Sequence, residues 1–396
     1  MRTDTHMLHS RHPGLRWTPW AIGSSALVLL FVGCEPAAEL KFVPAPEVAA
    51  LDAQLQQAVQ QQLTALTGTP ARPKLLGADP QTLGGEAKFN AHLQRGAQVY
   101  RKNCVQCHGV SGDGAGLAAG YLSPRPRDYR KGVFKFTSTG YGNKPRRDDL
   151  VRTITHGVTG TSMPSFARME KKDLDAVVDY VLALTHRGEL ETLLASQAES
   201  EGELTDEAAQ ELAQSIVDQW AAADEQIVEP VSKMPPFSPE TVAQGQAIFQ
   251  KRECFKCHGR DGRGGLAGGI EVGVDAWGQK TAAADLTSGM LHGGQLPVDV
   301  YRRIHAGING TPMPAFKDIL ADDPDATWYL VHYVLHLADQ RRHGVQFPAG
   351  AGATPPSDVP AAAPDAQPES TQPTQPPSEP PAEPPSAPPA AEEPAS

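Results

Sequence analysis

Cys104-Val105-Gln106-Cys107-His108 decides how this chain reads, because the same pattern returns as Cys254-Phe255-Lys256-Cys257-His258. A second element is doubled with it: Gly160-Thr161-Ser162-Met163-Pro164-Ser165-Phe166 and Gly310-Thr311-Pro312-Met313-Pro314-Ala315-Phe316. The offsets agree, since 254 − 104 and 313 − 163 are both 150, and the His-to-Met separation is 55 residues in each half. Gly109, Gly112, Gly114, Arg152, Ile154 and Gly157 match Gly259, Gly262, Gly264, Arg302, Ile304 and Gly307 at the same offset. Two copies make a duplicated domain, not a solenoid.

Cys-x-x-Cys-His is the pattern that attaches c-type haem. Two intervening residues make about one helical turn, so both sulfurs face one porphyrin edge and can form thioethers with its vinyl groups. The next residue, His108 or His258, then lies beneath the iron. Two other chemistries use similar cysteines. A thioredoxin-like redox pair does not need the histidine, and a zinc site wants its cysteine pairs close enough to share one ion. For the second axial position the candidates are Met163 and Met313. A lone Met is more often core filler. Two in matching contexts, equally far from their histidines, are hard to explain that way, and thioether sulfur suits low-spin iron. Pro164 and Pro314 stiffen the strap that aims each sulfur. The rivals are His156 and His305, but they do not coincide in the repeat: His156 faces Ala306, and Thr155 faces His305.

Each copy resembles a class I cytochrome c domain, with CxxCH after an N-terminal helix, a distal Met strap and a C-terminal helix. The resemblance implies an all-α fold of two tandem class I cytochrome c domains, each with one covalently bound haem c and its iron. It also implies that Gly96 and Tyr100 pack on Tyr180, and Gly245 and Phe249 on Tyr333. His/Met ligation implies a fairly high potential and a closed coordination sphere, suited to outer-sphere electron transfer. The plan is similar to anchored dihaem cytochromes that accompany bacterial respiratory oxidases. It implies redox partners: a quinol-oxidising complex as donor and a terminal oxidase or reductase as acceptor. Two alternatives stay open, a dihaem peroxidase, which needs one open iron, and a fixed cytochrome subunit of an oxidase complex.

The rest of the chain frames these copies. Residues 1–34 carry Arg2, Arg11 and Arg16, an apolar run from Ala21 to Val32, and Gly33-Cys34. The run has the length of a signal-peptide core and is short for a membrane span. Its end resembles a bacterial lipoprotein processing site, with Cys34 lipidated. An uncleaved hydrophobic anchor is the alternative, and both export the chain to the periplasmic side of a membrane. Residues 35–85 read as a spacer, with a helix expected over 47–66 because Val48, Leu51, Leu55, Val59, Leu63 and Leu66 form one apolar stripe. Domain one is expected over 86–187 and domain two over 237–345, separated by an acidic helical linker, 188–236, with Thr205 as an N-cap. The tail, 346–396, is rich in Pro and Ala with few large apolar residues, a composition expected to stay disordered. It holds seven acidic residues and no Lys or Arg, so −7 of the net −11 lies there. That balance argues against nucleic acid as a partner. By contrast Arg125, Arg127, Arg130, Lys131, Lys135, Lys144, Arg146, Arg147 and Arg152 oppose only Asp128, Asp148 and Asp149. This stretch is expected to be a docking surface, a propionate-binding surface, or a solvated loop.

Overall fold

The apolar stripe that opens the chain does not form one helix. In the computed structural model, which describes residues 40–264 and 270–343, Pro46–Ala49 makes a single turn (α1) and Ala53–Thr67 a separate helix (α2). Asp52 causes the break. Its carboxylate accepts the N–H groups of Gln54 and Leu55 at 2.9 Å, restarting the helix as an N-cap. Cys34, the expected anchor and the expected disordered tail lie outside the described residues.

Among the described residues nine further α-helices follow: Glu86–Asn103 (α3), Val105–His108 (α4), Arg147–His156 (α5), Lys171–Glu201 (α6), Asp206–Ala221 (α7), Pro239–Lys251 (α8), Phe255–His258 (α9), Pro297–His305 (α10) and Ala326–His343 (α11). Among the described residues there is no β-strand, so the all-α expectation holds. No helix among them is long and apolar enough to cross a membrane. In the first copy α3 lies against α6, burying Tyr100, Val177, Tyr180, Val181 and Leu184. In the second, α8 lies against α11, burying Phe249, Val331, Tyr333 and Val334, while the Tyr301 ring of α10 packs tilted against Trp328 at 4.6 Å.

Helix α6 corrects the reading of the flanking segments. It is 31 residues long, about 46 Å at 1.5 Å per residue, and the expected border at 187/188 falls inside it. Its first half belongs to the first copy. Its second half buries Leu190, Leu194, Ala195 and Ala198 against Val59 and Leu63 of α2 and Ala209, Ala213 and Ile216 of α7. The expected spacer and the expected linker are therefore two sides of one helical bundle with its own core. Thr205 does cap α7, its hydroxyl accepting the Ala208 N–H at 3.2 Å.

The basic stretch is also corrected: it is neither a free docking patch nor a solvated loop. Arg130 pairs with Asp128, Lys144 with Glu189, Arg146 with Asp224 and Arg147 with Asp179. Lys135 and Arg152 reach the second copy, at Asp275 and Asp299. Lys131 donates to the Ala276 carbonyl at 2.8 Å. The face is a polar seam between the two copies, closed further by Asn309, whose side-chain oxygen accepts the Gly142 N–H at 2.8 Å.

One buried group in α6 makes the fold acid-sensitive. The His186 ring packs 4.9 Å from Trp220, and neither ring nitrogen has a hydrogen-bond partner. Burial, aided by the nearby Lys144 charge, pushes its pKa from 6.5 down to about 3. The unfolded chain therefore takes up a proton that the folded chain refuses. The contribution is complete above pH 6.5 and is lost as pH falls from there towards 3. The expected slope is about 1.4 kcal/mol per pH unit. Denaturant titrations at stepped pH should show a shallower acid limb in His186→Phe than in the parent, and equal limbs would refute this account.

Candidate functional site

Helix α3 runs directly into the first cysteine motif. The Cys104 carbonyl then accepts the N–H groups of Cys107 and His108, at 3.1 and 2.9 Å, which closes one helical turn. The Cys254 carbonyl does the same for Cys257 and His258, at 3.3 and 3.0 Å. Residues three apart on a helical turn share a face, so each pair of sulfurs lies side by side.

The four cysteines of these motifs are free. Burial pushes the Cys104 thiol up to about 12 and the Cys254 thiol to about 11. A thioredoxin-like pair needs the opposite shift, because the thiolate is the reactive form. Nor do three His, Cys, Asp or Glu side chains come together as a metal cage among the described residues. The geometry thus favours neither rival chemistry.

Each histidine is held from behind. His108 Nδ1 lies 3.1 Å from the Arg127 carbonyl, and His258 Nδ1 lies 3.1 Å from the Ala284 carbonyl. A carbonyl can only accept, so Nδ1 carries the proton and Nε2 is left as the free base. Burial lowers the pKa of both imidazoles against the opposing pull of that hydrogen bond. A neutral ring with a bare Nε2 is the form that binds iron. In the first copy the ring also stacks on Tyr129 at 4.7 Å.

The two carbonyls reveal a difference that the equal His-to-Met spacing hides. Arg127 lies 19 residues after its histidine, and Ala284 lies 26 after its own. The second copy is seven residues longer before this point, and shorter by the same number after it. The Tyr129 N–H bonds to the Gly112 carbonyl at 2.7 Å, and Leu286 takes its place with a bond to Gly262 at 2.8 Å. Neither the two carbonyls nor Tyr129 was marked by the repeat, because the repeat is out of register here.

The methionine straps, in contrast, share the bonds that surround each methionine. The Val158 N–H donates to the Met163 carbonyl at 3.2 Å, and Ile308 to Met313 at 3.1 Å. The Thr161 hydroxyl donates to the Val158 carbonyl at 2.8 Å and accepts the Met163 N–H at 3.2 Å. Thr311 repeats both bonds, to Ile308 and Met313, at the same distances. Each strap then returns to the preceding helix through Phe166 to Ile154 and Phe316 to Ile304, both 3.2 Å. Met163 and Met313 are half-buried at the centre of these loops. The rival His156 is exposed, while His305 is stacked on Tyr301 at 5.2 Å.

The helix contacts that the resemblance implied are present. The Tyr100 and Tyr180 rings lie 5.3 Å apart, as do those of Phe249 and Tyr333. A Cβ at Gly96 would strike the Ala176 carbonyl, and one at Gly245 the Tyr329 carbonyl. In each copy, two cysteines on one turn beside a neutral imidazole held through its Nδ1 suit covalent attachment of haem c.

Comparison with known families agrees. Residues 91–181 match the model described as cytochrome c oxidase, cbb3-type, subunit III, and residues 242–338 match that for cytochrome c. A comparison with curated proteins finds no match. Among solved structures, a chain of the Kuenenia stuttgartiensis reducing HAO-like protein complex is 31% identical, with a TM-score of 0.49. The match covers 62% of this chain and 96% of that one. The two matched segments and their donor sets make this chain a tandem c-type cytochrome, an electron-transfer protein whose two cytochrome c domains each carry one covalently attached haem c.

Proposed function

We propose that both haems are relay sites with two protein axial ligands. Cys104 and Cys107 would form the thioethers, and His108 and Met163 would bind the iron, in the first domain. Cys254, Cys257, His258 and Met313 have these roles in the second. The identity of the two straps carries this reading, because it gives both domains the same distal ligand on the same hydrogen-bonded loop. When bound, haem supplies a reversible one-electron couple. The protein's part is to fix the neutral imidazoles through the Arg127 and Ala284 carbonyls and to hold the thioethers on rigid straps. Thioether ligation favours the ferrous state and raises the potential. With an imidazole and a thioether both bound, neither iron would be open to peroxide, which counts against the peroxidase alternative.

The relay works on the periplasmic side of a bacterial membrane, held there by lipid on Cys34. It carries electrons from a quinol-oxidising complex to a terminal oxidase or reductase. The supports are the apolar run ending in Gly33-Cys34 and the likeness of the first domain to a cbb3-type oxidase subunit. That same likeness favours a second reading, a fixed oxidase subunit with the α2–α6–α7 bundle as its assembly surface. Co-purification with other subunits in mild detergent separates a fixed subunit from a mobile carrier. Mass spectrometry of the mature N-terminus tests the anchor: a chain beginning at unmodified residues upstream of Cys34 would exclude it.

The deciding experiment is an optical and redox titration of the purified holoprotein with and without carbon monoxide. Two high potentials, the ferric sulfur-to-iron charge-transfer band and no carbon monoxide shift are expected. A haem that binds carbon monoxide would overturn the ligation in its domain and reopen the peroxidase reading.

A further inference from the structure

The loop that lengthens the second domain before Ala284 delivers Trp277 to the first domain. The indole lies under the Arg127 guanidinium, 3.5 Å from carbon to ring centroid, and its Nε1 donates to the Asp128 carbonyl at 3.1 Å. Arg127 is the residue whose carbonyl holds His108. The benzo edge of the indole lies against Gly310, the first residue of the second strap. A Cβ there would come within 2.8 Å of the ring. The neighbouring Ala276 N–H also bonds to the Gly310 carbonyl, at 2.9 Å. One aromatic side chain thus touches both the residue behind the first histidine and the strap that carries Met313. The other seam contacts described above are ion pairs and hydrogen bonds at Lys131, Lys135, Arg152 and Asn309.

We propose that Trp277, clasped on Arg127, is the bridging residue for electron transfer between the two haems. The proposal rests on the His/Met relay reading above. The path runs from the His108 ring through its hydrogen bond to Arg127, across the stacked guanidinium and indole, and into the Gly310–Met313 strap. These groups are contiguous, from the His108 hydrogen bond through the cation–π contact to Gly310. A single electron leaves the reduced site and arrives at the oxidised one; no bond forms or breaks and no proton moves. A second contact crosses the seam, the His292 ring against Gly160 of the first strap, and it is the competing route.

The test injects one electron into the oxidised full-length holoprotein with a ruthenium photosensitiser and follows equilibration between the haems. Haem content, charge-transfer band and both potentials are measured first in every variant. Trp277→Leu is expected to slow equilibration about tenfold with potentials and band retained, and Trp277→Phe to keep most of the rate. If Trp277→Leu shifts the potentials, Arg127→Met replaces it, since it removes the stack and leaves the carbonyl on His108. An unchanged rate in the variant with retained potentials overturns the proposal. So does slowing in His292→Ala alone, which would put the route through the first strap. Absence of the charge-transfer band in the parent protein would instead fail the ligation reading, and so the two failures are distinguishable.

Discussion

Met163→Ala and Met313→Ala, made singly in the full chain, should each halve the ferric charge-transfer absorbance and open one haem to carbon monoxide. The reason lies in the straps. Thr161 and Thr311 tie each loop to itself by two hydrogen bonds, so the loop keeps its shape when the sulfur is removed and no neighbouring residue is drawn in. The truncated side chain leaves an open coordination position. The midpoint potential of the altered haem should fall, because the ligand that favoured ferrous iron is gone. The other haem should keep its own. A variant with its full charge-transfer band would show that the sulfur assigned to that iron is the wrong one. A variant that loses the band but still excludes carbon monoxide would point to a histidine taking the position, His156 in the first domain or His305 in the second.

The second large effect is on stability. Gly96→Val and Gly245→Val are each expected to cost about 3 kcal/mol and to lower Tm by roughly 10 °C. At both positions the clash is with backbone, the carbonyls of Ala176 and Tyr329, and not with the movable end of a side chain. Relief therefore requires the crossing helices to move apart. That would loosen Tyr100 from Tyr180, or Phe249 from Tyr333, and the turn carrying the cysteines sits at the end of the displaced helix. Calorimetry on the holoprotein gives the measurement. A change of less than 1 kcal/mol would mean that the helices adjust more easily than their close approach implies.

The haem sites were largely legible before any coordinates, because covalent attachment and axial ligation demand particular residue types at particular spacings. Cys104, Cys107 and His108 had to share one turn, and so did Cys254, Cys257 and His258. The glycines at 96 and 245 were legible through the resemblance to class I cytochrome c domains, and the close helix crossings show why no side chain fits there. Legibility ended where partners are distant or are backbone atoms. The stripe through Val59 and Leu63 showed that one face is buried, but not that residues 190–216 cover it. The basic stretch looked unpaired because Asp224, Asp275 and Asp299 lie far along the chain. The carbonyls of Arg127 and Ala284 leave no trace in composition. Equal spacing from His to Met concealed two opposite changes in loop length, and with them the loop that carries Trp277.

The polar seam has a consequence in time. A chain is made from its N-terminus, so His108 emerges well over a hundred residues ahead of Trp277. When the first cysteine motif becomes available for haem attachment, Lys135 and Arg152 have not yet met Asp275 and Asp299, and the indole is not yet against Arg127. A haem attached as the chain emerges would therefore enter a first domain whose seam face is still bare, and arrival of the second domain would seal that face afterwards.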